Sequence, residues 1–294
     1  MRICLQCRRT LEIDGWKCPH CGWQPDSQNG LLVFSPEFSA DSADYPHAVF
    51  QILAELEGKH FWFRSRSLLL MWALDHYFPH AETFLEVGCG TGFVLSGMRS
   101  AFPSMRLVGG DVATDGLLVA KQRNPDVPLF QMDARSIPFQ EEFDVVGAFD
   151  LLEHVEDDEQ VVSEIFRAVA SGGGLIVSVP QHQFLWSHVD EMAFHKRRYS
   201  KDELVRKIEK AGFRIKRVTS FVSLLMPLLF VSRILRPNKR QHNDPISELK
   251  LGDFSNFFGA LVMGLERSAI KRGFSFPFGG SLFLVAGKPT TSNS

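Results

Sequence analysis

The chain has 294 residues, 45% of them hydrophobic, and a formal net charge of -2. That composition excludes a disordered chain and leaves no global cationic excess for nucleic acid or an acidic membrane surface. The length accommodates one sizeable α/β domain plus a small one. No apolar run reaches the roughly 18 residues of a membrane-spanning helix. The first residues carry no apolar signal-peptide core, so the expectation is a cytoplasmic protein with reduced cysteines.

Four of the five cysteines lie in the first 21 residues. Cys4 and Cys7 form one CxxC knuckle, and Cys18 and Cys21 form a second, ten residues further on. Zinc takes four soft ligands in a tetrahedron, and each CxxC turn points two thiolates at one centre. Residues 1–34 therefore read as a structural zinc ribbon. Gly22 supplies the turn after the second knuckle, and Leu11, Ile13 and Trp16 offer a small hydrophobic cover. Residues 35–46, rich in Ser, Asp, Ala and Pro, read as a linker. Lid helices are expected from there to residue 80, opening on His60-Phe61-Trp62-Phe63-Arg64-Ser65-Arg66.

Residues 83–95 run from an apolar strand through Gly88, Gly90 and Gly92 into a helical pattern. Glycines at such a loop let the backbone approach a ligand. The spacing is GxGxG, not the GxGxxG of a dinucleotide site, and no Walker lysine follows. A second strand ends at Asp111, placed to accept from both ribose hydroxyls. A third, 127–134, ends at Asp133, placed to accept from an adenine amino group. The implied ligand has ribose and adenine but needs no phosphate cradle. S-adenosylmethionine fits, because its sulfonium and ammonium groups prefer carboxylates. Cys89, with no base near it in sequence, reads as filling a slot in the loop.

Glu86-Val87-Gly88-Cys89-Gly90-Thr91-Gly92, Asp111, Asp133, Phe143 to Asp150 and Ala170 to Pro180 resemble the successive motifs of class I S-adenosylmethionine-dependent methyltransferases of the type 11/12 kind. Ala211-Gly212-Phe213 and Gly280 to Ala286 resemble the approaches to the sixth and seventh strands. The resemblance covers roughly residues 80–288. It implies that Gly88, Cys89, Gly90 and Gly92 line the methionine end, with Glu86 organising the loop. It implies that Asp111 and Val112 hold the ribose, Asp133 and Ala134 the adenine, and that Asp150 faces the sulfonium. Asp150-Leu151-Leu152-Glu153-His154-Val155 resembles the LEHV segment of ubiquinone-pathway O-methyltransferases. A divalent cation near Asp150, Glu153 and His154 is the corresponding expectation, with His154 as a candidate catalytic base or ligand.

Beyond the fifth strand, His195 is a second candidate base, and Arg197, Arg198 and Tyr199 are candidate substrate contacts through forked hydrogen bonds to an acid. Local ion pairing with Asp190 and Glu191 is the alternative for these arginines. Residues 196–240 hold fourteen Lys and Arg against three Asp and Glu. Within them, Phe221 to Leu235 is apolar, broken by Pro227 and followed by Arg236, Lys239 and Arg240. A second amphipathic stretch, Phe254 to Arg272, follows. Both are candidates for peripheral membrane contact or for a self-buried helical subdomain.

The expected architecture is α/β: a Rossmann-like, seven-stranded, mostly parallel sheet with helices on both faces. A methyltransferase domain is expected at 81–294, with a helical insertion at about 222–272. The leading function is O-methylation of a small-molecule or lipid-linked acceptor. The first alternative is a ribosomal-RNA methyltransferase that uses the ribbon for substrate binding. The slightly acidic charge and the missing Asn/Asp-Pro-Pro-Tyr motif weigh against nucleic acid. The second alternative is a non-catalytic protein that binds S-adenosylmethionine and a partner.

Overall fold

The computed structural model describes residues 1–12, 15–39, 47–227 and 251–290. Ile13, residues 228–235 of the apolar stretch, and Arg236, Lys239 and Arg240 lie outside the described residues, as do residues 40–46 of the linker.

Strands β1 (Arg2–Ile3) and β2 (Thr10–Leu11) form a two-stranded antiparallel ladder around the first knuckle. Strands β3 (Asp26–Gln28) and β4 (Leu31–Val33) form a hairpin. Its two-residue turn is Asn29-Gly30, with φ of 52° and 73°, the left-handed pair that matches the twist of the flanking strands. Three helices follow: α1 (Pro36–Ser39), α2 (His47–Glu57) and α3 (Phe61–Tyr77). The His60 ring nitrogen caps α3 by accepting from Trp62 N at 3.1 Å.

The α/β body comprises β5 (Thr83–Val87), α4 (Phe93–Ala101), β6 (Arg106–Asp111), α5 (Thr114–Arg123), β7 (Leu129–Gln131) and β8 (Phe143–Phe149). It continues with α6 (Asp158–Ala168), β9 (Val169–Pro180), α7 (His188–Met192), α8 (Lys201–Lys210), β10 (Arg214–Phe221), α9 (Asp253–Lys271) and β11 (Ser281–Gly287).

The main sheet has nine strands, not the seven expected, in the order β10-β11-β9-β8-β5-β6-β7-β4-β3. Seven belong to the anticipated doubly wound body. The other two come from residues 26–33, within the segment expected as a ribbon: β4 pairs in parallel with β7, Leu32 opposite Phe130 and Val33 opposite Gln131. The expectation missed them because β3 is exposed along its length and β4 is only three residues long, too short for a periodicity signal. The strand orders reverse beside β5, and the ends of β5, β6, β7 and β8 share one edge, where open α/β sheets bind ligands.

The sheet is buried on both faces. One face packs Leu85, Val146, Val177 and Leu284 against α6 and α8; the other packs Phe84, Val145, Ile176 and Phe283 against α3, α4 and α9. Each such buried side chain contributes roughly 1.5–3 kcal/mol of transfer free energy. Of the expected insertion, the described parts are residues 222–227 and α9 with its flanks. The helix buries Met263, Glu266 and Ile270 and exposes Phe254, Phe257, Phe258, Leu261 and Leu265. No helix among the described residues is long and apolar enough to cross a membrane.

Candidate active site

The loop after β5 is held open by its glycines. Gly88 has φ of 78°, and a Cβ there would sit 2.9 Å from Leu151 Cδ1. Gly90 has φ of 50°, and a Cβ there would meet nothing within 4 Å, so its backbone borders open space. Asp111, at the end of β6, ties this loop down. Its Oδ2 accepts from Gly90 N at 2.7 Å and its Oδ1 from Ala113 N at 2.8 Å. Burial raises its pKa, against those backbone hydrogen bonds. Two lone-pair positions per oxygen leave it further acceptor capacity. Val112 beside it is exposed, whereas Cys89 is buried, and burial with Asp111 and Glu86 nearby pushes its thiol far above the usual range. That is the environment of an inert cysteine.

Acids crowd the same edge. Glu86 in β5 is buried with Oε2 unpartnered among the described residues, and burial pushes its carboxyl well up while Arg66 opposes the shift. Asp150, just past β8, adopts φ of 51° and forms an ion pair with Arg66 of α3. The Arg66 guanidinium also lies 4.6 Å from the Trp62 ring centroid, a cation–π geometry. Arg123 donates to Glu57 at 2.7 Å and to the Thr91 hydroxyl at 3.0 Å. Five acidic side chains (Glu57, Glu86, Asp111, Asp150 and Glu153) thus gather around two guanidiniums.

Asp133 is less open than the sequence suggests. Arg135 forks it, with Nε at 3.0 Å and Nη2 at 2.7 Å from Oδ2. Ala134 beside it is buried.

A second cluster lies beyond β8 and β9. The ligand atoms of Glu153, His154 and His195 fall within 4.8 Å of one another. Asp150, expected in this group, is turned to Arg66 instead, and His195 stands in its place. Glu153 is 0% exposed, neither of its oxygens has a hydrogen-bond partner among the described residues, and burial pushes its carboxyl up to about 8. Burial, reinforced by His195, pushes His154 down to about 4. His195 Nδ1 lies 2.9 Å from Asp190 Oδ1, and its Nε2 lies 3.9 Å from Glu153 Oε1. Burial opposes ionisation of Asp190, but hydrogen bonds from His195 and Arg198 hold it well below the usual carboxylate range. An ionised Asp190 requires the proton of a neutral His195 on Nδ1, which leaves the Nε2 lone pair facing Glu153.

The arginines expected to grip substrate are engaged locally. Arg198 donates to both oxygens of Asp190 at 2.7 and 3.0 Å. Arg197 lies 3.3 Å from Asp158 and 3.4 Å from Glu156. The Tyr199 hydroxyl is buried and donates to Asp158 at 2.6 Å. Sequence reasoning gave no site role to Arg66, Glu57 or Arg123, and it weighed Asp190 only as a local partner of the arginines, which is the pairing that Arg198 makes. The one available signal was Arg66, a cation flanked by Ser65 and Ser67 within a helix whose inner face is otherwise apolar.

Close to the end of β9, His182 stacks on Phe278 with ring centroids 4.3 Å apart, and Phe278 stacks on Phe184 at 5.8 Å. Phe184, Leu224, Met226, Phe276 and Phe278 line an apolar cavity of about 400 Å³.

At the other end of the sheet the four ribbon cysteines converge. Their sulfurs lie within 4.8 Å of one another, with Cys4–Cys21 and Cys7–Cys18 both at 3.6 Å. Zn–S bonds of about 2.3 Å in a tetrahedron set sulfurs roughly 3.8 Å apart. The set therefore fits one zinc ion.

Comparison with known proteins bears on the fold. Residues 85–177 match the family described as methyltransferase domain. The chain is similar to a protein of Mycolicibacterium smegmatis named as a probable S-adenosylmethionine-dependent methyltransferase, 29% identical over 163 residues, 54% of this chain and 62% of that protein. It is 36% identical over 111 residues to the mitochondrial ubiquinone biosynthesis O-methyltransferase of Candida albicans, covering 35% of this chain and 34% of that one. The chain thus spans less than two thirds of the length of either relative. Among solved structures, phosphoethanolamine N-methyltransferase 2 of Haemonchus contortus in complex with S-adenosyl-L-methionine superposes with a TM-score of 0.58. The identity there is 19%, over 86% of this chain and 60% of that one. The fold is the Rossmann-like fold of class I methyltransferases.

Proposed function

We propose that the chain transfers a methyl group from S-adenosylmethionine to a hydroxyl of a small or lipid-linked acceptor. One observation carries the cofactor reading: the open loop Gly88–Gly92, pinned by Asp111 and ringed by carboxylates, lies inside the segment that matches a methyltransferase domain. With Glu86 and Glu153 held protonated by burial, Glu57, Asp111 and Asp150 still outnumber Arg66 and Arg123, which favours a cationic ligand over a phosphorylated one. The resemblance of Asp133 and Ala134 to an adenine contact stands as part of this reading. The donor, when bound, supplies an activated methyl group on sulfur.

The chain's own residues supply alignment and a base. His195 Nε2 accepts the acceptor's hydroxyl proton as the O–CH3 bond forms and the S–CH3 bond breaks, leaving S-adenosylhomocysteine. Asp190 holds the resulting imidazolium, and Arg198 holds Asp190. Arg198 is thus a positioning residue. A second reading is favoured by the unpartnered Glu153 oxygens: Glu153, His154 and His195 would hold a divalent cation that acidifies the acceptor hydroxyl. His154, kept neutral, suits ligation. The apolar cavity beside His182 and the exposed phenylalanines of α9 support an acceptor with an apolar portion, and contact with a membrane surface is part of the same proposal. An RNA acceptor is less well supported, because Arg197, Arg198, Lys207 and Lys210 are neutralised by carboxylates. The ribbon is assigned one structural zinc ion.

The test is calorimetric titration with S-adenosylmethionine and S-adenosylhomocysteine, in the wild type and Asp111→Ala. Methyl-label turnover on lipid and aqueous extracts follows, with and without EDTA. Binding that Asp111→Ala loses, with label appearing in the lipid fraction, is expected. Binding without turnover on any extract would favour the non-catalytic alternative.

A further inference from the structure

The ribbon does not merely sit beside the sheet. Its hairpin and the segment leaving it meet the ends of the two strands that carry Asp111 and Asp133. Gln131, the last residue of β7, is 0% exposed, and Ser35, two residues past β4, is 3% exposed. The Gln131 side-chain amide accepts from Ser35 N at 3.0 Å and donates to Ser35 O at 2.9 Å. The same amide nitrogen donates to Val112 O at 3.2 Å, the residue after Asp111. Ser35 Oγ accepts from Asp133 N at 3.3 Å. Phe38, on α1, lies 5.2 Å from the Arg135 guanidinium that forks Asp133. One buried amide therefore joins the ribbon's exit to both strand ends.

The mechanical link back to the cysteines is aromatic. Trp16 packs edge-on against Phe34 at 4.6 Å and against Phe130 at 5.6 Å, and it also packs on the small core of Cys4, Leu11 and Cys18. A ribbon this small holds its shape chiefly through its metal. Without it, Trp16 would lose one of the two surfaces it bridges, and Phe34, next to Ser35, would lose part of its support.

We propose that the metal-loaded ribbon is an integral wall of the cofactor site: through Trp16, Phe34 and Ser35 it braces the ends of β6 and β7, so that metal occupancy and affinity for the adenosine half of the cofactor rise together. The inference rests on the cofactor reading proposed above. It assigns Ser35 and Gln131 as positioning residues for Asp111 and Asp133. Linkage makes the coupling reciprocal: whatever factor zinc adds to nucleoside affinity, the nucleoside adds to zinc affinity.

The experiment uses the full chain. S-adenosylhomocysteine is titrated calorimetrically into zinc-loaded and zinc-stripped protein, with circular dichroism reporting whether the stripped protein keeps its fold. Zinc affinity is measured against a competing chromophoric chelator, with and without saturating S-adenosylhomocysteine. Affinity for the nucleoside is expected to fall about tenfold on stripping, equivalent to about 1.4 kcal/mol, and zinc affinity to rise by a similar factor with nucleoside bound. Gln131→Leu, which keeps all four cysteines, is expected to retain one zinc per chain while losing most of that coupling. Equal nucleoside affinity in loaded and folded stripped protein overturns the inference. So does full protection of the zinc in Gln131→Leu, which decides the matter even where the stripped protein unfolds. Binding that Asp111→Ala abolishes but zinc leaves unchanged overturns the inference alone. No nucleoside binding to the loaded wild type overturns the cofactor reading and the inference with it.

Discussion

Thr91 of the glycine loop and Glu57 at the end of α2, 34 residues apart, are joined by a buried hydrogen bond: the Thr91 hydroxyl donates to the Glu57 carboxylate at 2.7 Å. Arg123 closes the arrangement, donating to Glu57, to Thr91 and to Ala54 O at 2.8 Å. This three-residue lock seats α2 over the loop. Glu57→Ala leaves the Arg123 charge with less than its full complement in a mostly buried place. It is expected to cost about 3 kcal/mol and to weaken S-adenosylhomocysteine binding. Thr91→Val removes one hydrogen bond and is expected to cost about 1 kcal/mol. Chemical denaturation of the two variants orders them; an equal or reversed order would show that the lock does not hold α2.

The buried cluster predicts a particular pH dependence. Glu153 titrates near 8 in the folded chain, above its unfolded value, so its contribution to stability is greatest below the unfolded pKa and is lost as pH rises towards 8. His154 titrates near 4, below its unfolded value, so its contribution is present above about 6.5 and is lost as pH falls towards 4. Between about pH 6.5 and 8 the Glu153 effect acts with little from His154. Wild-type stability is expected to fall with pH there, by at most about 1.4 kcal/mol per unit, and Glu153→Gln is expected to be flatter. Denaturation midpoints at pH 6.5, 7.2 and 8 check this. A parallel slope in Glu153→Gln would assign the titration to another group.

Asp190 is predicted to act through His195. Asp190→Asn removes the charge that orients the ring and stabilises its protonated form. kcat is expected to fall about 10²- to 10⁴-fold, with the pH–rate profile displaced and KM little changed. Arg198→Ala is expected to reproduce part of that loss, whereas a purely structural role for Arg198 would lower the melting temperature and leave the pH–rate profile where it was.

Trp16 is predicted to weld the ribbon to the sheet. Trp16→Ala opens the contact with Phe34, Phe130 and Phe139 and is expected to cost about 3–5 kcal/mol. Trp16→Phe, which keeps an aromatic ring, is expected to recover most of it. Calorimetric unfolding distinguishes the two, and equal losses would place the weld elsewhere.

Much of this protein is legible in its sequence. Each CxxC turn is a local structure and only ten residues separate the two, so the spacing itself announces a four-sulfur cluster. The strand–glycine–helix run at 83–101 is local as well, since the apolar period, the left-handed glycines and the amphipathic helix are each written within a few residues. Asp111 could be placed because strand ends in a doubly wound sheet share one edge. Only the tertiary structure decided what each side chain meets across the chain. Between the two roles open to Arg198, it decided for the local pairing with Asp190, and it turned Asp150 to Arg66, a pairing that depends on where separate elements cross. Glu153 is fully buried, with Lys196 N donating to its carbonyl at 2.8 Å and His195 Nε2 3.9 Å from its carboxyl, an effect of packing that no spacing encodes. The union of ribbon and sheet belongs to the same class: Leu32 finds Phe130, and Ser35 finds Gln131. Edge pairing is a matter of available backbone hydrogen bonds and fit in three dimensions, and three residues of strand carry too little pattern to announce it.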